Sequence, residues 1–207
     1  RRVLFRSLSS NNMIQFLESI RLVDGVLQQL DLHQQRVNGT LATHYKTNIL
    51  LSSIEIPAAY REGIYKCRVV YDEKIQEVAF QPYTLKPRKC VKLVYANDID
   101  YQYKYADRTL LNKLWHKANT DDIVIVKNGL LSDSAYANII LENDKGLFTP
   151  ARPLLKGTMR QSLLNKNAIQ AKDISIEQLP NYQYLHFINA MQPLGCQSPI
   201  KVKDILK

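Results

Sequence analysis

Residues 100–108 read Asp-Tyr-Gln-Tyr-Lys-Tyr-Ala-Asp-Arg and set one lysine, Lys104, among three tyrosines, with Arg108 four positions on. A lysine stripped of water among aromatic rings has a lowered pKa and can be a free amine near neutral pH, able to attack a carbonyl. On this stretch alone, a surface lysine running past the tyrosines is the commoner outcome. The neighbouring segments decide between the two.

Downstream, Leu110, Leu111, Leu114 and Trp115 fall on one helical face. Asp122 to Lys127 reads as a buried strand, and Asn128-Gly129 is a hairpin turn. Strands are expected at Leu130–Ser134, Tyr136–Glu142 and Tyr184–Ala190, with Leu155–Arg160 leading into a helix. Upstream, Gln15–Leu22 and Val26–Leu30 read as a hairpin around Val23-Asp-Gly25. Asp31 is the expected N-cap of a helix from Leu32 to Lys46, and a short helix is expected at Pro57–Tyr60. Gly63–Asp72, Ile75–Tyr83 and Lys89–Ala96 have β-branched and aromatic strand character. The chain is therefore expected to be α+β, with two lobes meeting at the polar stretch Asn97–Asp100: residues 8–97 and a β-rich lobe over 98–207. Residues 1–7 look like a translated adapter remnant and are set aside as a non-native leader.

With 207 residues, 45% hydrophobic and 23% charged, the chain can build one sizeable domain or two lobes sharing a site. No apolar run approaches the roughly 18–20 residues of a membrane span. Three scattered cysteines, Cys67, Cys90 and Cys196, form no CxxC and suit a reducing cytoplasm better than a disulfide framework or zinc site. Setting aside Arg1, Arg2 and Arg6 lowers the net charge from +9 to +6. No run of basic residues or aromatic-basic motif directs that charge to nucleic acid, and an anionic small molecule accounts for it equally well.

Four segments occur in register: Phe16-Leu-Glu-Ser-Ile-Arg21 with His33-Gln-Gln-Arg36; Lys104 to Arg108; Asn128 to Ile139 with its Asp133 and Asn138; and Thr149-Pro150 followed by Leu155-Lys-Gly-Thr-Met-Arg160. In this order they resemble the class IV aminotransferase family, the fold-type IV pyridoxal-phosphate enzymes. The resemblance runs from about Phe16 to Ile200. It implies pyridoxal 5'-phosphate lying between two lobes, the second barrel-like, in a homodimer.

The resemblance also implies roles. Lys104 matches the Schiff-base lysine, which also moves a proton. Arg36 matches the arginine that clamps the phosphate, with a guanidinium fork suited to its oxygens. Gly157-Thr158 would offer backbone N–H groups and a hydroxyl to the same phosphate. Asp133 stands where the family usually has a glutamate against the ring nitrogen; it is one methylene shorter, and as a bare residue it also reads as a turn position. Asn138 is expected to order its loop. His33 is read as structural, and Arg160 as a helix residue pairing locally. Asn189-Ala190, in Ile188-Asn-Ala-Met-Gln-Pro-Leu194, is nearer the pattern of 4-amino-4-deoxychorismate lyases than the Thr/Ser-rich run of transaminases. The implied activity is that lyase, which makes 4-aminobenzoate for folate synthesis, with an amino-acid transaminase or a non-catalytic binding protein as alternatives. Lys66 and Arg68 are candidates for substrate carboxylates, or else outward-facing strand charges. No metal site, nucleic-acid partner or membrane is implied.

Overall fold

The computed structural model describes residues 13–206; the leader expected at 1–7 lies outside them. The first sheet has the order β2-β1-β3-β4, from β1 (Phe16–Val23), β2 (Val26–Leu27), β3 (Ile64–Tyr71) and β4 (Ile75–Pro82), all pairs antiparallel. Asp24 and Gly25, both at positive φ, make the two-residue turn of the first hairpin. Along β1, Phe16, Glu18, Ile20 and Leu22 are all fully buried on one face. Helix α1 (Leu30–His44) covers that face with His33, Val37, Thr40 and Leu41, spaced to lie on one stripe.

The expected second strand is shorter and the helix starts earlier than Asp31 suggested. Gln29 adopts the left-handed conformation, φ 52°, which ends β2, and its carbonyl accepts from the Leu32 and His33 amides. Asp31 therefore sits in the first turn, where its charge suits the helix N-terminus, and gives no cap. The short helix expected at 57–60 is a 3-10 turn at Ala58–Tyr60.

The second half carries β5 (Val91–Tyr95), α2 (Thr109–Ala118), β6 (Asp122–Lys127), β7 (Leu130–Ser134), β8 (Asn138–Asn143), β9 (Gly146–Pro150), α3 (Thr158–Asn165), β10 (Gln170–Lys172), β11 (Tyr184–Ile188) and β12 (Ile200–Lys201). They form two sheets, β5-β6-β7 and β10-β9-β8-β11-β12. Val91, Leu93, Val124, Val126, Ile139, Leu141 and Leu185 join both sheets around one core, giving the barrel-like wrap. Strand β5 precedes the boundary expected at 97/98, yet it is hydrogen-bonded in parallel to β6 across the α2 crossover. On α2, Leu111 is buried beside Leu114 and Trp115, whereas Leu110 is 53% exposed. The stripe at i, i+3 and i+4 leaves position 110 off the packed face.

Residues 100–106 are not a regular strand. The Leu17 amide donates to the Lys104 carbonyl at 2.9 Å and the Ala106 amide to the Gln15 carbonyl at 2.8 Å, so the segment lies along the part of β1 that β2 leaves free. Tyr101 packs into the second-half core with Leu111, Ile123 and Ile125. Tyr103 and Tyr105 both pack on Phe16 in the first-lobe core, with ring centroids 6.3 and 5.5 Å away. Tyr105 also packs against the second-half core, so the segment runs where the two cores meet. Among the described residues, no helix is long and apolar enough to cross a membrane.

Candidate active site

A cleft of about 740 Å³ opens between the halves, and Lys104, Arg36, Asp133, Gly157, Thr158, Asn189 and Ala190 all line it. Behind its first-lobe wall, beneath Arg36, lies Glu18. This glutamate occupies an apolar-patterned position on β1 and is fully buried. Arg36, one turn along α1 from His33, grips it with two donors, Nε to Oε1 at 2.7 Å and Nη2 to Oε2. His33 Nδ1 lies 2.6 Å from Oε2. Burial by itself would raise the Glu18 pKa, but the Arg36 charge and the hydrogen bonds from His33 and Arg36 hold it far below the ordinary carboxylate range.

His33 is held below its usual pKa by burial. An ionised Glu18 can only accept, so the neutral ring carries its proton on Nδ1 and leaves Nε2 to face the Thr158 hydroxyl at 3.4 Å. His33, expected to be structural, thus ties the first-lobe carboxylate to a residue at the start of α3.

Lys104 is pulled down to about 7, chiefly by loss of water and by the Arg36 charge; Glu18 acts the other way, and Arg108 adds to the lowering. Arg108 is itself fixed: Nη1 donates to the Tyr101 hydroxyl at 3.1 Å, Nη2 to the Ala135 carbonyl, and the guanidinium lies 4.1 Å from the Tyr136 ring centroid. Two immobilised cations therefore flank a poorly solvated amine. Such an amine can act as a nucleophile and as a proton carrier near neutral pH.

On the opposite side, Asp133 is 4% exposed. Its Oδ1 accepts from Asn138 Nδ2 at 2.8 Å and its Oδ2 from the Leu155 amide at 2.9 Å. Burial pushes its pKa up to about 6, against the lowering effect of these donors and of the Arg160 charge. Asn138 also donates to the Leu155 carbonyl at 2.8 Å, so one amide clamps both the carboxylate and the chain leading to α3. A Cβ on Gly157 would stand 2.0 Å from Asn138 Oδ1, which explains glycine there. Gly157 provides no side-chain cap, and the first turn of α3 has no acidic residue. Its amides are left to an external acceptor.

Arg160 does not pair locally along its helix. It is buried and donates to β9, from Nε to Thr149 Oγ1 at 3.3 Å and from Nη2 to the Pro150 carbonyl at 2.9 Å. Carbonyl and hydroxyl acceptors on a neighbouring strand satisfy a guanidinium that a short helix cannot.

Lys66 and Arg68 line the cleft from β3, although Arg68 also meets Glu77 at 3.0 Å. Asn189 donates to the Tyr136 carbonyl at 3.1 Å. Arg88 was not singled out from the sequence: it lines the cleft, pairs with buried Asp122 at 2.6 Å and donates to Gln192 at 3.0 Å. Glu18 was quoted within a motif without a role. Its signal was present, since a glutamate on the apolar face of a strand needs cations, and His33 and Arg36 share one face of the next helix.

The sequence pattern of the amino-transferase class IV family matches residues 100–196. An uncharacterized protein of Haemophilus influenzae is 32% identical over 188 residues, covering 88% of this chain and all of that protein. The chain belongs to the amino-transferase class IV family. A solved structure from Haemophilus somnus, provisionally named a 4-amino-4-deoxychorismate lyase, is 31% identical, with a TM-score of 0.74 over 87% of this chain and 98% of its own. The fold alone is shared with a 4-amino-4-deoxychorismate lyase from Pseudomonas aeruginosa, 14% identical with a TM-score of 0.69 over 94% of this chain and 83% of its own.

Proposed function

We propose that this family member is a pyridoxal-phosphate-dependent enzyme, and that its reaction is that of a 4-amino-4-deoxychorismate lyase. The observation that carries the cofactor is the setting of Lys104: an amine near neutrality between two fixed guanidinium groups, in one cleft with a buried carboxylate. The residues present fit the group. Lys104 would bond its aldehyde carbon, Arg36 and the backbone amides at Gly157-Thr158 would hold its phosphate, and Asp133 would face its ring nitrogen. A cleft of about 740 Å³ accommodates a cofactor together with a small substrate. When bound, pyridoxal phosphate supplies an electron sink for the pair left behind as a C–H bond next to the substrate nitrogen breaks.

In this reading Glu18 keeps Arg36 oriented, and His33 keeps Thr158 oriented. Lys104 as free amine takes the proton from the carbon bearing the substrate amine. The bond from the ring to the enolpyruvyl oxygen breaks as the ring becomes aromatic, and that group takes up a proton and leaves as pyruvate. Basic side chains lining the cleft outnumber acidic ones seven to three, which favours an anionic substrate, with Lys66 and Arg68 as its carboxylate partners. The lyase assignment is supported by Asn189-Ala190-Met191 with Pro193, and by the similarity to the Haemophilus somnus protein. Homodimerisation belongs to the same proposal, and light scattering on the purified protein tests it.

The decisive measurement mixes purified protein with pyridoxal phosphate and follows absorbance at the violet edge of the visible range. A band is expected that borohydride removes and Lys104→Ala lacks. A colourless protein that gains no band leaves only a binding role. With the cofactor bound, pyruvate release from 4-amino-4-deoxychorismate is expected. Glutamate formation from 2-oxoglutarate and an amino acid, without pyruvate release, assigns the protein as a transaminase instead.

A further inference from the structure

A second, smaller cavity of about 320 Å³ lies beside the cleft, between the end of β1, the start of α1, α3 and the chain at 190–194. Ser19 and Arg21 share one face of β1 by alternation; Ser19 lines the cleft and Arg21 lines this cavity. Ala190 lines both.

Its chemistry differs from that of the cleft. Arg21 and Lys166 are its charged residues, and no acidic side chain lines it. Among the described residues the Arg21 guanidinium meets no carboxylate, and its Nε is buried without any hydrogen-bond partner. The Oε1 of Gln29, in the same wall, is also buried and unpaired. Buried polar groups are nearly always satisfied and each orphan is costly to the fold; the Arg21 donor is the one that calls for an anion, while the Gln29 oxygen takes a donor such as water. Met159, Leu163 and Leu194 supply the apolar part of its lining, with Met159 and Leu163 on the same stripe of α3 as Lys166. Cations, no competing carboxylate and an apolar floor together select an anion with a compact hydrocarbon body.

We propose that this cavity is a binding site for a small organic carboxylate, its carboxylate held between Arg21 and Lys166 and its apolar part against Met159 and Leu163. The site is separate from the cofactor cleft and does not depend on the cofactor reading. A bound carboxylate would brace Ala190, and so reach the cleft through a wall the two spaces share.

The three methionines allow a direct test. Met159 lines this cavity, Met191 lines the cleft, and Met13 is 43% exposed away from both. The full chain, labelled with carbon-13 at the methionine methyls, is titrated with benzoate and, in parallel, with inorganic phosphate, following each methyl by NMR. Benzoate is expected to move the Met159 signal saturably, and phosphate at tenfold higher concentration is expected to leave it in place. Arg21→Gln is expected to weaken benzoate binding at least tenfold while the Met13 and Met191 signals keep their positions in the free protein. Lys166→Gln, at the end of α3, gives the same readout if Arg21→Gln does not fold. A Met159 signal that does not move, a shift confined to Met191, equal binding of phosphate, or unchanged affinity in the folded variants each overturns the site.

Discussion

Glu18 and Asp133 are both buried carboxylates next to the same cleft, and their ionisation differs in opposite directions. Burial raises both. Glu18 faces a guanidinium that donates twice and an imidazole N–H, and is held far below the ordinary range. Asp133 has an amide from Asn138 and a backbone N–H, with the Arg160 charge a weaker influence, and rises to about 6. The depth of burial is therefore not what decides the charge state. A charged donor in direct contact outweighs desolvation, whereas neutral donors offset only part of it. The chain keeps a permanent anion beneath Arg36 and a titratable one lining the cleft.

The largest effect expected from this contrast is in Glu18→Gln. It leaves the largely buried Arg36 without its counter-ion, and stability in urea should fall by about 3–5 kcal/mol. A loss below about 1 kcal/mol would mean that Arg36 finds another partner and that the contrast rests on less than direct pairing.

The pH dependence of stability separates the two carboxylates next. Asp133 has a native pKa of about 6 against an ordinary 3.8, so between those values the folded chain binds more protons than the unfolded one. Its contribution is complete below about pH 4 and is lost as pH rises towards 6, by at most about 3 kcal/mol. Glu18 works the other way: its contribution is present above its ordinary pKa of 4.5 and is lost as pH falls below that value. His33, held below its ordinary 6.5, works against this trend, so the quantity to follow is the difference: the urea midpoint of the parent minus that of Asp133→Asn should decline from pH 4 to 7. An identical slope in both proteins removes Asp133 as the cause.

Gly157→Ala should act on the Asp133 side alone and more mildly. The new methyl meets Asn138 Oδ1, so Asn138 must move and loosen its bond to Asp133. A stability loss of about 1–3 kcal/mol is expected, with the decline between pH 4 and 7 moved to higher pH. The dependence below pH 4.5, to which Glu18 contributes with Asp72, Asp107 and Asp121, should stay where it was.

Much of the fold could be read from local chemistry. Asn128-Gly129, at φ 51° and 76°, closes the β6–β7 hairpin as expected, and β6 spans Asp122–Lys127 as read. Harder features were those joined across distance. Strands β10 and β12, of three and two residues, carry too short a pattern to detect and exist because a neighbouring strand offers an edge. The partner of β5 lies beyond a whole helix, and the pairing of Arg160 with β9 crosses between two elements.

From sequence alone came the α+β class, the tight turns, and the family resemblance built on Lys104, Arg36, Asp133 and Gly157-Thr158. These follow from residue type and spacing, which act over a few neighbours. Tertiary structure decided what state those groups are in. It laid the Lys104 segment along β1, placed Glu18 behind Arg36, and gave Asp133 neutral donors in place of a guanidinium. Charge state depends on water excluded and on partners brought from distant parts of the chain, and both are set only when the two halves close around the cleft.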